Sequence, residues 1–207
     1  NYDKALEYLL KSLKLYRKIG DSFGTASALT NIGIVYKDLS NYDKSLKYQL
    51  ESLQISRDID DKTGIANSLH NIGIIYLNLK NYNKAVEFYQ KSLKIEEEIG
   101  DQRGVASTLN NIGIIYDDLK NFAKALEYYH KSEAIYEEMQ DKNGSANIYN
   151  NIGVCYENLN QYEKALEYDF KAKIIFEKIG NKKGIAATLD NIGAVYLKLK
   201  DYSNAEK

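Results

Sequence analysis

The chain has 207 residues, of which 28 are Lys or Arg and 29 are Asp or Glu, so its formal net charge is −1. Phosphate recognition depends on clustered Lys and Arg, and this even balance argues against a nucleic-acid partner. No apolar stretch of about 18 residues is present, which argues against a membrane span. The single cysteine, Cys155, excludes an internal disulfide, and we expect a cytoplasmic protein with this thiol packed in its core.

The main feature of the sequence is one unit that recurs every 40 residues. The triplet Asn-Ile-Gly begins at positions 31, 71, 111, 151 and 191. The units begin near Asn1, Asn41, Asn81, Asn121 and Gln161, without insertion or deletion. A fixed period of about 20 to 50 residues indicates stacked repeats that bury their apolar faces against each other. We therefore expect a single elongated array over residues 1–207.

Each unit is predicted to contain two helices of about 16 to 19 residues. In chain order, a second-type helix at residues 1–19 comes first. First-type and second-type helices then alternate up to a last first-type helix at about residues 183–199 and a truncated segment that ends at 207. In one first-type helix, helical spacing is shown by Ala106, Leu109, Ile112, Gly113 and Tyr116.

The residues that cap these helices recur with the same period. N-cap residue types precede the first-type helices at Asp21, Asp61, Asp101, Asp141 and Asn181. They precede the second-type helices at Asn1, Asn41, Asn81 and Asn121. Three second-type helices are predicted to end in a left-handed residue, at Gly20, Gly100 and Gly180.

Ten of the 13 glycines lie inside the predicted first-type helices. Five belong to the repeated triplets, and the other five are Gly24, Gly64, Gly104, Gly144 and Gly184. A glycine inside a helix costs about 1 kcal/mol relative to alanine. We expect a close approach of neighbouring helix backbones to compensate. No glycine remains for a phosphate-binding loop.

The pattern Leu109-x-x-Ile112-Gly113-x-x-Tyr116, followed by Ala125-x-x-x-Tyr129, resembles the tetratricopeptide repeat signature. The match covers the whole chain. The 40-residue period resembles the repeats of the kinesin light chain, of spindle-orientation adaptors and of bacterial peptide-sensing regulators. Two positions depart from the pattern, because Gln49 and Asp169 replace the aromatic residue of the second helix and predict looser packing there.

The resemblance implies an all-α solenoid of antiparallel helix pairs that forms a right-handed superhelix, with the first-type helices lining a concave groove. It also implies which positions contact a bound peptide. The innermost row contains Asn31, Asn71, Asn111, Asn151 and Asn191, and beside it stand His70, Asn110 and Asn150. An aliphatic row contains Ile34, Ile74, Ile114 and Val154, and farther along lie Asn78, Asp118 and Asn158.

The asparagine row is the strongest functional indication. Asparagine is less favourable than alanine inside a helix by about 0.6 kcal/mol, so five of them need a compensating role. A carboxamide has both a donor and an acceptor and suits the backbone of an extended peptide. The alternative is that these side chains bond a neighbouring helix, or persist from duplication of one unit. The aliphatic row leaves a similar choice between an exposed interface and packing between helices.

These features predict a non-enzymatic module that binds an extended protein or peptide segment. The ligand is expected to be neutral to basic, because acidic groove positions outnumber Lys37 and Lys198. The only histidines, His70 and His130, are too few and too distant in register for a metal or catalytic site, and no cofactor is expected. His70 is a ligand contact or an ordinary surface histidine. The alternative function is the sensory or regulatory input domain of a larger signalling enzyme or transcription regulator.

The ends of the array predict self-association. A second-type helix begins the chain and a first-type helix closes it, so each lacks its partner. The apolar faces left uncovered would contain Leu6, Leu9, Leu13 and Tyr16 at one end, and Leu189, Ile192, Val195 and Tyr196 at the other. Two different, complementary patches favour head-to-tail contact between molecules.

Overall fold

Residues 2–199 are described by a computed structural model in which they are almost entirely helical. The helices are α1 (Tyr2–Ile19), α2 (Ser22–Asp38), α3 (Tyr42–Asp58), α4 (Lys62–Asn78), α5 (Tyr82–Ile99), α6 (Gln102–Asp118), α7 (Phe122–Glu138), α8 (Lys142–Asn158), α9 (Tyr162–Ile179) and α10 (Lys182–Lys198). Even numbers are the first-type helices and odd numbers the second-type. The predicted all-α class with repeated helix pairs is confirmed. Asn1 and the segment 200–207 lie outside the described residues.

The chain divides into two compact units, Asn1–Asp101 and Gln102–Lys207. In the first unit, α2 pairs with α3 and α4 with α5, while α1 packs on α2 and α3 on α4. In the second unit, α6 pairs with α7 and α8 with α9, while α7 packs on α8 and α9 on α10. A continuous array over residues 1–207 remains a prediction.

Most predicted helix caps are confirmed. The side chains of Asp21, Asp61, Asp141 and Asn181 each accept a hydrogen bond from the backbone N–H of the glycine three residues later. Asn41, Asn81 and Asn121 cap α3, α5 and α7 in the same way. The three predicted glycines are left-handed, with φ between 71° and 73°. These bonds satisfy N–H groups that a helix start otherwise leaves without a partner.

Buried aliphatic residues of three successive helices form the core of each repeat. In the first unit, Leu13 of α1 packs with Leu29 and Ile32 of α2. In the second, Ile148 and Ile152 of α8 pack with Tyr129 of α7. Burying one such side chain contributes about 1.5 to 3 kcal/mol, which is why each helix needs the next.

The helix glycines lie where space is tight, as the sequence predicts, but the predicted neighbouring group is wrong. We expected helix backbones to approach, but the groups that meet these glycines are side chains. A Cβ on Gly113 would lie 2.5 Å from the ring of Tyr129, and one on Gly73 would lie 2.6 Å from the ring of Tyr89. Both tyrosines are completely buried. These two glycines therefore make room for an aromatic ring of the paired helix, and at Gly33 and Gly153 the side chains of Gln49 and Asp169 take the same place.

The tyrosines of the helix hairpins have a structural role. Tyr36 stacks on Tyr48 with ring centroids 5.5 Å apart, and Lys44 lies over Tyr36 at 5.0 Å. Tyr116 and Tyr128 form the same stack under Lys124 in the second unit. Stacked rings and a cation over a ring face stabilise each first-type helix against its second-type partner.

The expectation of uncovered apolar faces at the ends is mostly wrong. Leu13, Ile192 and Val195 are buried, because α1 turns this face towards α2 and α10 turns its face towards α9. Leu6, Leu9 and Tyr16 are half-buried against the same core. Leu189 is the exception, with 44% of its surface exposed. Among the described residues, no helix is long and apolar enough to cross a membrane.

Candidate functional site

The asparagine row lies on the first-type helices, with Asn31 exposed and the other four members half-buried. In the second unit, two of these side chains, Asn151 and Asn191, are hydrogen-bonded to the adjacent first-type helix. Asn151 donates from Nδ2 to Oδ1 of Asn110 at 2.8 Å, and Asn191 donates to Oδ1 of Asn150 at 2.9 Å. This geometry corresponds to the structural role that the sequence left open. The predicted site residues Asn110 and Asn150 are the acceptors.

The first unit differs in this respect. Within the described residues, the side chains of Asn31, Asn67, Asn71 and Ser27 make no hydrogen bond to protein. They surround one pocket of about 620 Å³ between α2 and α4. The pocket is lined by Phe23, Ala26, Ser27, Thr30, Asn31, Ile34, Ser52, Ser56, Asp61, Thr63, Gly64, Asn67 and Asn71. Three carboxamides and a hydroxyl are thus available to a ligand at this place.

The aliphatic row is half-buried at every position. Ile34 lines the pocket between α2 and α4. Ile114 packs against the core cluster that contains Tyr129 and Ile148. These residues therefore cover the core between helices and still present part of their surface. Both roles considered from the sequence are present within the same row.

The remaining predicted site residues do not converge on the pocket. Asn78, Asp118 and Asn158 are exposed at the ends of their helices, and Asn78 donates to the carbonyl of Ile74 in its own helix at 3.0 Å. His70 is half-buried, with its ring edge on Tyr89 and Nδ1 3.7 Å from Oε1 of Glu96. It belongs to the packing of the first unit.

Two polar residues of the pocket were missed by the sequence reasoning. The hydroxyl of Ser52 is buried and donates to the carbonyl of Ala26 at 2.8 Å. Ser56 is completely buried, and its hydroxyl has no hydrogen-bond partner among the described residues. A comparison of the second-type helices in register shows the signal, because Ser56 stands where three of the other four units have an aromatic residue, Tyr16, Tyr136 and Phe176, and the fourth has Glu96.

The electrostatics of the pocket are nearly neutral. Among the described residues that line it, Asp61 is the single charged one, and its Oδ1 accepts a hydrogen bond from the backbone N–H of Gly64 at 3.0 Å. No Lys or Arg side chain within residues 2–199 lines the pocket. An anionic group would therefore meet a carboxylate without a compensating cation. The pocket suits uncharged groups that can both donate and accept hydrogen bonds.

The two departures from the aromatic pattern are buried, so the predicted looser packing is wrong. Gln49 is fully buried and donates from Nε2 to the carbonyl of Thr30 at 3.0 Å. Asp169 is 1% exposed, and its carboxylate contacts the position that a side chain on Gly153 would occupy. The pKa of Asp169 is raised to about 7, mainly by burial and also by the nearby charge of Glu157, while the Asn191 side chain acts in the opposite direction.

Cys155 is buried, as the sequence predicts. Its Sγ lies 3.5 Å from the carbonyl oxygen of Phe122. Burial, together with the charge of Asp117, raises the pKa of the thiol to about 12. A thiol with so high a pKa is protonated at neutral pH and acts as a core side chain.

The chain was then compared with known proteins. The family model described as tetratricopeptide repeat matches residues 1–58, 64–138 and 144–207. No curated protein sequence matches significantly. Among solved structures, BtubC from P. vanneervenii is similar with a TM-score of 0.86 and 21% identity, over 100% of this chain and 87% of that protein.

Two further structures have the same fold. A Rap protein in complex with competence and sporulation factor matches with a TM-score of 0.75 and 18% identity, over 89% of this chain and 51% of that protein. The kinesin-light-chain-like repeats of Podosopora anserina match with a TM-score of 0.65 and 13% identity, over 86% of this chain and 88% of that one. Two of the three classes named from the sequence pattern, the bacterial peptide-sensing regulators and the kinesin light chain, are thus among the structural neighbours.

Proposed function

Because the chain belongs to the tetratricopeptide repeat family and is a helical-repeat module of the protein-binding kind, we propose that it is a non-enzymatic module for an extended peptide or partner segment. The ligand lies along the first-type helices, in a concave groove. The pocket between α2 and α4 is its main point of attachment in the first unit.

The observation that carries this proposal is the set of carboxamides without a protein partner. Asn31, Asn67 and Asn71 line one pocket and make no hydrogen bond within the described part of the chain. A backbone amide unit of an extended peptide offers one N–H and one C=O, which a single carboxamide can bond together. Such contacts are independent of the peptide sequence. They explain why asparagine is kept at helix positions where alanine is more favourable.

The ligand we propose is neutral to basic. Asp61 lines the pocket, where no Lys or Arg is among the described lining residues, and Asp38 is exposed at the end of α2, where it is paired with Lys37 at 3.2 Å. A basic residue next to the anchored segment would be attracted by these carboxylates, whereas an acidic one would be repelled.

A displayed library of random dodecapeptides, selected against the whole chain, tests the proposal. The variant that changes Asn31, Asn67 and Asn71 together to Ala should lose at least tenfold in affinity for the selected peptides. The matched control changes Asn83 and Gln90 of α5, which are exposed carboxamides on a second-type helix. Equal binding by the triple variant and the wild type would refute the groove, and so would a failure to select any peptide.

The alternative is that the module is the sensory or regulatory input part of a larger signalling enzyme or transcription regulator. It is supported by the similarity to the Rap protein, of which the matched region is about half. A peptide selected on this chain would then change the activity of a longer protein that contains it. Absence of any change on binding would favour a simple adaptor.

Head-to-tail contact between molecules is a separate proposal. It rests on exposed apolar side chains near the two ends, Tyr8, Leu15 and Ile19 on α1 and Leu189 on α10. Light scattering over a concentration series measures it directly. A constant molecular mass up to millimolar concentration would contradict it.

A further inference from the structure

The pocket between α2 and α4 lies where the preceding second-type helix lacks the aromatic side chain that three of the other four units carry. In register, the residue near the end of the second-type helix is Tyr16 in α1, Glu96 in α5, Tyr136 in α7 and Phe176 in α9. In α3 the same position is Ser56. The sequence around it is otherwise in register, so the change replaces a ring by a hydroxymethyl group and leaves the backbone unit intact.

The three rings have a common place in the fold. Each lies against the glycine in the first turn of the next first-type helix: Tyr16 against Gly24, Tyr136 against Gly144, and Phe176 against Gly184. A Cβ on Gly184 would be only 2.6 Å from the Phe176 ring. At the corresponding place in the first unit, the atoms nearest to a Cβ on Gly64 belong to Ser56 and to its own cap, Asp61.

The pocket volumes show the effect of the missing ring. The pocket in the second unit that includes Phe176 is lined by seven residues, and all seven stand at repeat positions that also line the pocket in the first unit. Its volume is about 250 Å³, against about 620 Å³ where Ser56 stands. The unfilled space is therefore located where three of the other four units place an aromatic side chain. It reaches down to the buried Ser56 hydroxyl, which has no partner within residues 2–199.

The second unit also shows how a phenol is held in this place. Tyr136 interacts through its phenol with the side chain of Ser107 on α6. In register, the residue that corresponds to Ser107 is Ser27 on α2. Ser27 is exposed, lines the pocket and makes no hydrogen bond in the described part of the chain. The partner of a phenol is thus present, and the phenol is missing.

We propose that the pocket binds a tyrosine side chain of the peptide ligand, in the place that Tyr16 and Tyr136 occupy in their own repeats. The inference rests on the proposed peptide-binding function and names its anchor. The ring lies against Gly64, and its hydroxyl bonds Ser27. Phe23, with 64% of its surface exposed at the mouth of the pocket, covers the outer face of the ring.

The same chemistry excludes a phosphorylated tyrosine. A phosphate carries close to two negative charges at neutral pH and needs Arg or Lys partners. The lining offers Asp61 and no cation. Phosphorylation of the ligand tyrosine should therefore release it.

The first experiment uses p-cresol, the side chain of tyrosine, as the probe for the whole chain. The amide chemical shifts of Gly64 and Asn67 should change as p-cresol is added, and the changes should reach a plateau at millimolar p-cresol. Ser56→Tyr fills the pocket with a residue that the repeat already accommodates, and it should lower the affinity for p-cresol at least tenfold. Ser27→Ala should weaken the binding of p-cresol several-fold. It should leave the binding of toluene unchanged, because toluene has no hydroxyl to bond Ser27. No shift at Gly64 in the wild type, or equal binding by Ser56→Tyr, would overturn the proposal.

The second experiment uses the dodecapeptides selected against the chain. The selected set should share one tyrosine, whose change to alanine costs at least tenfold in affinity and whose phosphorylation abolishes binding. Selected peptides that need Asn31 and Asn71 but share no tyrosine would overturn the anchor and leave the peptide-binding function standing. Saturable p-cresol binding without any selected peptide would show that the pocket binds a phenol. It would contradict the proposed peptide-binding function, and therefore also a tyrosine of a peptide as the ligand. If Ser56→Tyr does not fold, Ser27→Ala still decides the result.

Discussion

Asn151 donates its side-chain amide to Oδ1 of Asn110 at 2.8 Å, across two adjacent first-type helices. Asn191 and Asn150 repeat this bond in the next pair of helices. Asn31 and Asn71 occupy the same register in the first unit and have no such partner in the described part of the chain. One repeated residue therefore has two roles, and these can be separated by mutation.

Asn71→Ala and Asn151→Ala should differ in stability. At position 71, alanine gains about 0.6 kcal/mol of helix propensity, and the protein loses no hydrogen bond. At position 151 the same gain is offset by the lost bond, worth about 0.5 to 1.5 kcal/mol. The two free energies of unfolding should therefore differ by about 1 kcal/mol, with Asn71→Ala the more stable. Urea unfolding measures this, and identical stabilities would contradict the assignment.

Gly113→Ala should destabilise the second unit although alanine is the better helix residue. The new Cβ would lie 2.5 Å from the buried ring of Tyr129, so the ring must move. Overpacking of this kind costs about 1 to 3 kcal/mol, which exceeds the gain in propensity of about 1 kcal/mol. Thermal unfolding gives the measurement. In a Tyr129→Leu background the same change should cost much less, and an equal cost would show that the ring is not responsible.

The helices and their caps could be predicted from the sequence because both are local. Asp21 and Gly24 are three residues apart, and their hydrogen bond follows from that spacing. The role of Gly113 could be predicted only in part, since the sequence shows that a helix glycine needs space but not that Tyr129 fills it. The turns between paired helices were also missed. Ser40 and Lys120 adopt φ of 57° and 58° there, although neither residue type signals a left-handed conformation.

Ser132→Ala should destabilise the protein by about 1 to 2 kcal/mol. The buried hydroxyl of Ser132 donates to the carbonyl of Ala106 at 2.7 Å, and it links α7 to α6. Ser92 makes the same bond to Ala66. Alanine would remove a buried hydrogen bond and leave a small void. The reverse change, Ala172→Ser, places a hydroxyl at the same register position in α9 and should raise stability by up to about 1 kcal/mol.

The candidate site was predictable at the level of the helix face, because repeat register shows which positions align. The pocket could not be predicted, since it depends on the absence of an aromatic side chain at position 56. Ser56 has no chemical signal of its own, and only the comparison with Tyr16, Tyr136 and Phe176 indicates an unfilled space. The division of the asparagine row was also hidden, because it depends on the residue beside each asparagine. That residue is Thr30 in α2 and Asn110 in α6.

Asp169 links the stability of the second unit to pH. Its carboxylate is 1% exposed and makes no hydrogen bond by strict geometry within the described residues, although the Asn191 side chain on α10 is close enough to favour its charged form. From α8 it faces Glu157, which is itself paired with Lys198 of α10 at 2.8 Å. Burial disfavours the charged form most, so the pKa of Asp169 lies at about 7, against 3.8 for an unperturbed aspartate.

The free energy of unfolding should therefore fall as the pH rises from about 4 to 7. In this range the unfolded chain has lost the Asp169 proton and the folded chain keeps it, so the slope is at most about 1.4 kcal/mol per pH unit. Above about pH 7 both states are ionised and the contribution is constant. Asp169→Asn keeps the shape of the neutral side chain and cannot titrate, so its advantage over the wild type should be small at pH 4.5 and reach several kcal/mol at pH 8. Urea unfolding of both proteins at the two pH values gives the difference in their free energies of unfolding. The contributions of the other carboxylates are the same in both proteins and cancel in this difference. A difference that does not change with pH would show that Asp169 stays ionised in the folded protein.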